Sequence, residues 1–461
     1  MTGNETLDEL AARALAVSRA DGCVVLVEQT RSADVRWANN TMTTNGSSTD
    51  ARLSVVSILD GRVGVATRTV GRGLDVPAAV RASEAAAAVS RPSPDADALP
   101  GPDGTPAPPP SAAAPPDDGI ARVVEGLAEA FSKADRDREL LYGFADQRLT
   151  TTVLASSAGV HRRHVQPGGS LAATAKSRDL SRSAWQGVAG ASWWADDVTA
   201  LHGRLRRLLG WQERRVELPA APYEVLLSPS AVSDLLLPLV WSAPLRDALE
   251  GHGPFARPDG GTRLGDRFCP LPLTIASDPG DPRARAMPFV ATTASGAGSS
   301  VFDDGLGIGR TSLLAEGVLA ALVSSRAQAR RAGLAPTPLA DNLLVDGGPQ
   351  ATRDLAAMVA ATEGPALLIS SLWYIRDVDP EQLLLTGLTR DGVYLVEGGR
   401  IVATVNNFRF NESPVDMLQR VTEIGRAVPA LPREWGDWFE RAVTPPLRIA
   451  GFRMSSVSEA R

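Results

Sequence analysis

Residues 303–333 have the sequence DDGLGIGRTSLLAEGVLAALVSSRAQARRAG. The opening aspartates and glycines are typical of a turn, and the apolar residues of Arg310–Leu314 predict a strand. Glu316-Gly317 predicts a tight turn into a second strand, and the basic segment Ser325–Gly333 predicts a short helix. No other stretch of the chain has so specific a pattern, so this one decides the fold.

The glycines at the start of this stretch raise the question of a phosphate-binding loop. Asp303–Gly309 lacks the full spacing of a dinucleotide-binding fingerprint and the lysine of a P-loop. We interpret it as a glycine-rich turn between strands. The small-residue run Ala294–Ser300 just before it contains serines but no Gly-x-Ser-x-Gly motif. This run is predicted to be a flexible or close-packed loop.

Composition limits the classes of function. At 461 residues the chain is too long for one hydrophobic core, so two or three domains are expected. The net charge of −6 argues against a nucleic-acid partner, since no basic field would attract one. Lys133 and Lys176 are the only lysines. Lysine-dependent phosphate loops and Schiff-base chemistry are therefore excluded unless one of these two serves.

Cysteine usage and apolar run lengths indicate the compartment. Cys23 and Cys269 lie far apart in different contexts and are interpreted as inert thiols in a reducing environment. The N-terminus is acidic and then amphipathic, unlike a signal peptide. No run of about 18 apolar residues exists, so no membrane span is expected. We expect the protein in the cytoplasm.

The N-terminal unit, residues 1–91, is predicted to be an α/β sandwich. Thr6 and Glu9 form a capping-box pair that predicts the start of the first helix. Two strands are expected at Cys23–Thr30 and Val35–Asn40, with a turn near Asn45-Gly46. Two further strands, Arg52–Leu59 and Arg62–Thr69, flank the hairpin signal Asp60-Gly61. A second helix is expected from Asp75 to Arg91.

Three further segments follow. Residues 92–119 are rich in proline and predict a solvated, partly extended linker; a tract for a proline-recognising module is the alternative. Residues 120–218 are predicted to form a central α+β unit that contains the helices Ile120–Ala134 and Asp196–Leu209. Residues 219–461 are predicted to form a mostly antiparallel, β-rich domain. The fold class is therefore α+β.

The four histidines do not predict a metal site. His161 and His164 lie on a predicted strand, where an odd separation puts side chains on opposite faces. His202 lies on the amphipathic helix Asp196–Leu209 and is interpreted as a packed or half-exposed residue. His252 lies alone in a glycine-rich loop, without a second ligand nearby.

The order of motifs resembles the TldD/PmbA family, the "modulator of gyrase" peptidases. Residues 303–333 carry the specific part of the resemblance. Tyr223–Pro229 is similar to the strand that leads into the family's central helix. Leu385–Ile401 is similar to its late hairpin, and Pro446–Met454 to its closing strand. The resemblance covers essentially the whole chain and implies the TldD/PmbA-like fold.

The family implies a test for zinc. Its TldD-type chains carry a His-Glu-x-x-x-His helix and a later cysteine, whereas TldE-type (PmbA-type) chains lack them. By alignment with the motif, Leu237, Pro238 and Ser242 occupy the positions of the first histidine, the glutamate and the second histidine. Leucine has no lone pair for a metal, and proline offers no general base. The C-terminal tract Gly436–Pro446 has no cysteine, so the chain resembles the TldE-type subunit, with no catalytic or metal-ligating residue.

The resemblance also implies a partner. A TldD-type paralogue would bring the zinc, and the heterodimer would enclose a chamber that hydrolyses unfolded or small peptides, held as an added strand. A homodimer is expected for the isolated chain, since like folds pair about a two-fold axis. Two alternatives remain open: the same heterodimer acting as an amide hydrolase or N-deacetylase in actinobacterial secondary metabolism, and a stand-alone interaction or regulatory protein.

Overall fold

The computed structural model describes residues 5–103 and 116–459. Over these ranges the chain forms nine α-helices and three β-sheets, which confirms the α+β class. The first unit contains α1 (Leu7–Ala16), β1 (Gly22–Ala38), β2 (Thr41–Leu59), β3 (Arg62–Thr69) and α2 (Val76–Val89). The second contains α3 (Pro116–Arg136), β4 (Glu139–Ser156), β5 (His161–Ser177), β6 (Ser183–Ala189) and α4 (Ala195–Gly210).

The remaining elements run from residue 215 to residue 458. They are β7 (Arg215–Val216), β8 (Pro222–Leu227), α5 (Pro229–Trp241), α6 (Leu245–Leu249), β9 (Thr274–Ser277), β10 (Thr311–Ala315), β11 (Val318–Leu319), α7 (Arg326–Ala332), β12 (Leu343–Asp346), α8 (Leu355–Ala360), β13 (Ala366–Ile369), β14 (Leu372–Asp379), β15 (Leu384–Thr389), β16 (Val393–Glu397), β17 (Arg400–Val405), β18 (Asn407–Glu412), α9 (Pro414–Gln419), β19 (Val421–Ile424), β20 (Val428–Ala430), β21 (Ala442–Thr444) and β22 (Leu447–Ser458).

Side-chain hydrogen bonds cap the two helices of the first unit at their predicted starts. The Thr6 hydroxyl accepts from the Glu9 N–H at 3.2 Å, and the Glu9 carboxylate accepts from the Thr6 N–H at 2.8 Å. These two bonds satisfy donors that the first turn of α1 would otherwise leave free. Asp75 caps α2 in the same way, through the Ala78 N–H at 2.9 Å.

The prediction of a turn near Asn45-Gly46 was wrong. Both residues lie inside β2, and Gly46 pairs with Asp34 of β1. The turn is at Asn39 and Asn40, whose φ angles are 51° and 59°, a left-handed conformation that asparagine tolerates well. The two predicted strands at Cys23–Thr30 and Val35–Asn40 are one strand, because β1 pairs with β4 without interruption from Val24 to Trp37.

One antiparallel sheet of order β3-β2-β1-β4-β5-β6 joins the first two units. Val25 and Val27 of β1 face α1 and α2, whereas the alternate residues Val24 and Leu26 pack against Phe289 and Phe302 of the C-terminal domain. Farther along the same strands, the side chains on the helix-bearing face pack against α3 and α4. The units are therefore a two-layer sandwich with its free face on the C-terminal domain.

The outer half of β2 stands apart from this packing. Thr41–Asp50 pairs with β1 on one side, and β3 begins to pair only at Arg52 on the other. All side chains of Thr41–Asp50 are exposed. In the part of the chain that the structure describes, no strand covers this edge.

Most of residues 92–103, the described part of the proline-rich segment, are exposed, but two acidic side chains anchor this part to the C-terminal domain. Asp95 is 1% exposed, and both of its carboxylate oxygens accept from Arg246 Nη2, at 2.8 and 2.9 Å. Arg331 adds a second charge at 3.5 Å, and Asp97 pairs with Arg330. Residues 92–103 thus fasten the first unit to α6 and α7. Residues 104–115 of the predicted linker lie outside the described residues.

The C-terminal domain places α5 in its core. Its two sheets have the orders β11-β10-β9-β12-β21-β20 and β14-β15-β18-β22-β8-β13-β16-β17-β7, mostly antiparallel. Side chains of α5 share one apolar cluster with residues of both sheets, among them Ile275 and Ile449. A helix that is apolar on all sides is expected at such a position. Over the residues described, no helix is both long and apolar enough to cross a membrane.

Candidate functional site

The helix α5 begins where the sequence signals a start. The Ser228 hydroxyl accepts from the Ala231 N–H at 3.2 Å and donates to the Ser370 carbonyl at 2.6 Å. Pro229 follows at the first helical position, where its missing N–H costs nothing. The helix is therefore anchored at its N-terminus to the loop after β13.

The three positions that the resemblance assigns to a zinc motif carry no zinc ligands. Leu237 is 0% exposed and belongs to the apolar core. Pro238 lies inside α5, and the Ser242 hydroxyl at the helix end donates to the Pro238 carbonyl at 2.8 Å. Leucine and proline have no donor atom for a zinc ion, so this donor set does not fit one. In the described ranges, no group of three or more His, Cys, Asp or Glu side chains could hold a metal ion.

Pro238 has a structural consequence four residues earlier. Because proline has no N–H, the Asp234 carbonyl loses its helical hydrogen-bond partner. The indole Nε1 of Trp435 donates to this carbonyl at 2.9 Å. Pro238, at the expected glutamate position, thus frees the acceptor that holds Trp435. Trp435 belongs to residues 431–446, hereafter the C-terminal tract, which includes Gly436–Pro446.

The Asp234 carboxylate holds the same tract. It is fully buried and accepts from the Arg433 and Glu434 N–H groups, at 3.1 and 3.0 Å. Burial raises the pKa of Asp234 well above its ordinary value. The carboxyl oxygens therefore act as a cap for the turn at residues 433–435.

Farther along, the tract stays beside α5. The Ser230 hydroxyl donates to the Leu431 carbonyl at 2.8 Å, and the Ser233 and Thr444 hydroxyls lie 2.9 Å apart. The structure thus brings together the two segments in which the family's zinc ligands were expected, the helix and the C-terminal tract.

Three tryptophans form a row on the outer side of this junction. The rings of Trp241 and Trp435 meet edge to face at 5.1 Å, and Trp438 stacks on Trp435 at 6.4 Å. Trp438 is 77% exposed and Trp241 is exposed as well. Tryptophans exposed in a row are typical of contact surfaces rather than of free surface.

A buried ion pair lies behind the tract. The Arg433 guanidinium pairs with Asp391, which also accepts from the Ser183 hydroxyl at 2.5 Å. Arg433 donates to the Ser371 hydroxyl at 2.8 Å and lies over the Trp185 ring at 5.1 Å. Burial lowers the pKa of Arg433, and the charge of Asp391 counters the shift.

This pair borders a cavity of about 1270 Å³ between the middle unit and the C-terminal domain. Asp391 and Ser183 reach its wall, together with charged residues of both signs. Sequence reasoning missed the cluster, because its members come from four distant segments and share no local pattern.

The histidines lie apart, as their spacing predicted. The His161 Nε2 is 3.2 Å from Asp8 on the α1 side of the sheet, and His164 bonds Gln166 at 3.0 Å on the opposite side. His202 is buried, with its Nε2 3.0 Å from Glu139. His252 is exposed, 3.5 Å from Glu381.

The remaining candidate groups have structural partners or are shielded. Cys23 and Cys269 are buried free thiols, and burial raises the pKa of each, which disfavours the reactive thiolate. Asp303 accepts from the Arg326 Nε at 2.8 Å, and Asp304 accepts from the Thr292 N–H at 2.7 Å. Both carboxylates thus hold the predicted turn in place.

Comparison with known proteins agrees with the resemblance in fold. Residues 220–456 match the PmbA/TldA metallopeptidase C-terminal domain, residues 23–89 match domain 1 of that family, and residues 109–211 match its central domain. No curated protein matches the chain.

Three solved structures have the same fold over nearly their full length. TldE from Thermococcus kodakarensis is 15% identical, with a TM-score of 0.80 over 97% of this chain and 99% of that one. A protein of Thermotoga maritima described as a modulator of a DNA gyrase is 15% identical, with a TM-score of 0.78 over 97% and 100%. A similar protein of Bacteroides thetaiotaomicron is 15% identical, with a TM-score of 0.74 over 98% and 99%. With a family model that matches more than half of its length, the chain belongs to the PmbA/TldD metallopeptidase family.

Proposed function

We propose that this chain is the TldE-type, non-catalytic subunit of a two-subunit peptidase. A TldD-type paralogue carries the zinc, and the complex hydrolyses unfolded or small peptides inside a chamber that both chains wall, in the cytoplasm. The observation that carries the proposal is that apolar residues occupy the motif positions of α5. Leu237 and Pro238 stand where a ligand and a general base are required, and Leu237 is enclosed by core side chains.

The surroundings of α5 support a scaffold role. In a zinc peptidase the helix and the C-terminal tract would hold the metal between them. Here they hold each other, through the Asp234 carboxylate and the Trp435 indole. Trp435 is partly buried, and the exposed rings of Trp241 and Trp438 on either side of it give this junction an aromatic surface. A partner chain or an extended peptide would cover it.

The first test is the metal content of the purified chain. We expect less than about one zinc per ten chains after gel filtration, because Leu237 and Pro238 offer no donor atom where a ligand and a general base are required. About one tightly held zinc per chain would overturn the assignment.

The second test is co-expression with a His-Glu-x-x-x-His paralogue from the same genome. The pair is expected to co-purify as a heterodimer and to cleave an unfolded peptide, whereas this chain alone leaves it intact. Peptide cleavage by the chain alone, or failure of the two chains to associate, would contradict the proposal. An N-acetylated small amide in the same assay separates a peptidase from a deacetylase.

A further inference from the structure

A groove of about 570 Å³ lies beside the N-terminus of α5, at Ser228 and Pro229. It opens between α4 and α8, and β13, the start of β17 and Ser228-Pro229 close it from below. The volume lies in the range of sites that take small ligands. Its floor is apolar and is formed by Leu208, Trp211, Leu355, Val359, Leu368, Ile401, Val428 and Pro446.

The rim of this groove is strongly cationic. Arg204, Arg207, Arg400 and Arg426 line it, against one carboxylate, Asp354. Among the described residues, the guanidinium groups of Arg204, Arg207 and Arg400 have no hydrogen-bond or ion-pair partner. Arg426 has only Asp354, at 3.8 Å.

The positive charge of Arg204 is destabilised by its surroundings. This arginine is half-buried, and burial lowers its pKa, with the charge of Arg207 one turn along α4 adding to the effect. The Asp197 carboxylate two turns back along α4 opposes this shift but does not cancel it. A bound anion would relieve both unfavourable effects, and a planar guanidinium suits a carboxylate through two parallel hydrogen bonds. By contrast, Arg448 bonds two carboxylates, Glu423 and Glu224.

We propose that this groove binds the free C-terminal end of a short peptide whose last residues are apolar. The terminal carboxylate pairs with Arg204 and Arg207, and the apolar side chains lie on the floor beside Trp211 and Val359. The Gln186 side chain at the wall has no hydrogen-bond partner within the described ranges and is free to bond a peptide amide. An apolar fatty acid shares the carboxylate and the tail but lacks this amide. The proposal does not depend on the pairing proposed above.

Calorimetric titration of the full-length chain distinguishes the candidate ligands. The probes are N-acetyl-Ala-Val-Phe with a free carboxylate, the same peptide as its C-terminal amide, and decanoate. The free acid is expected to bind at least about tenfold more tightly than the amide, the size of one charge-assisted hydrogen bond. It is also expected to bind more tightly than decanoate. Equal binding of acid and amide, tighter binding of decanoate, or no binding at millimolar peptide would overturn the proposal.

Variants assign the binding to the groove. Arg207→Gln is expected to weaken the free acid about tenfold and to leave the amide unchanged. The matched control is Arg214→Gln, an exposed arginine outside the groove that loses the same charge. Val359→Asp, which puts a carboxylate on the floor, is expected to abolish binding of the acid. If Arg214→Gln weakens the acid as much as Arg207→Gln does, the effect is general electrostatics and the site assignment fails. Unchanged unfolding temperatures confirm that each variant is folded.

Discussion

Asp303 and Asp304 are adjacent in sequence, but their carboxyl groups have different partners. Asp303 has a cation beside it, Arg326. Asp304 is wholly buried, accepts one backbone N–H with Oδ1, and has no partner for Oδ2 in the described structure. Burial, and then the charge of Asp303, raise the pKa of Asp304 well above its ordinary value of 3.8. The folded chain therefore keeps the proton on this carboxyl to a higher pH than an ordinary aspartate does.

The first prediction concerns Asp304→Asn. The unfolded chain ionises Asp304 near its ordinary pKa while the folded chain retains the proton, so Asp304 lowers stability as pH rises above about 4. Asparagine keeps the acceptor for Thr292 and removes the charge. We expect the variant to match the parent near pH 4 and to gain about 1–2 kcal/mol by pH 8. Urea unfolding at both pH values measures this.

Asp303→Asn is the matched control. It removes the charge that pairs with Arg326, so it is expected to lower the free energy of unfolding at pH 8. An Asp304→Asn variant that is less stable than the parent at pH 8 would show that the carboxylate is needed in its ionised form.

At the scale of the element, α5 owes its hydrogen bond with Trp435 to a proline in its interior. Pro238 leaves the Asp234 carbonyl free, and the indole of Trp435 takes its place. The prediction is a thermodynamic coupling between these two residues. Trp435→Phe alone leaves a buried carbonyl without a donor, which costs about 1–3 kcal/mol. In a Pro238→Ala background the helix supplies its own N–H, so the same change should cost about 1 kcal/mol less.

A double-mutant cycle of unfolding free energies measures this coupling. Trp438→Phe combined with Pro238→Ala is the control, because Trp438 is exposed and no hydrogen bond joins it to α5. Strict additivity for the Trp435 pair would mean that the indole bond has no part in holding the tract.

The limits of prediction from sequence are clear at this scale. Thr6-Glu9 and Ser228-Pro229 lie at the starts of their own helices, so the local sequence is enough to predict these helix starts. Asn45-Gly46 is a hairpin signal that failed, because the chain already turns at Asn39-Asn40, and residues 45 and 46 then pair with Val35 and Asp34 of β1. From the sequence, Pro238 does predict that the Asp234 carbonyl has no helical hydrogen-bond partner. Its partner, Trp435, lies 201 residues away, and no local pattern could identify it.

For the whole molecule, the first two units depend on each other. β1 lies between β2 and β4, and the strands on its two sides come from different units. We predict that residues 1–91 alone do not fold, because the β4 side of β1 would lose its hydrogen bonds along 14 paired residues (Val24–Trp37). Residues 1–218, with all six strands, are expected to keep their β-sheet.

Circular dichroism and thermal unfolding of the two fragments test this prediction. A cooperative unfolding transition for residues 1–91 alone would contradict it. The division at residues 92–119 would then mark an independent domain rather than a crossing between strands of one sheet.

The edge of β2 that is unpaired in the described structure makes the protein prone to pair with other strands. Thr41–Asp50 offers roughly 33 Å of extended backbone, and natural edges of this kind are usually guarded by lysine, proline or a bulge. Here the exposed stretch has one acidic residue, Asp50 at its inner end, and an irregularity at Thr43, where the pairing with β1 shifts between Arg36 and Trp37. Such an edge is a template for any other strand, including the same strand of a second copy. The concentration at which this chain stays unaggregated is therefore expected to rise if another strand pairs with that edge.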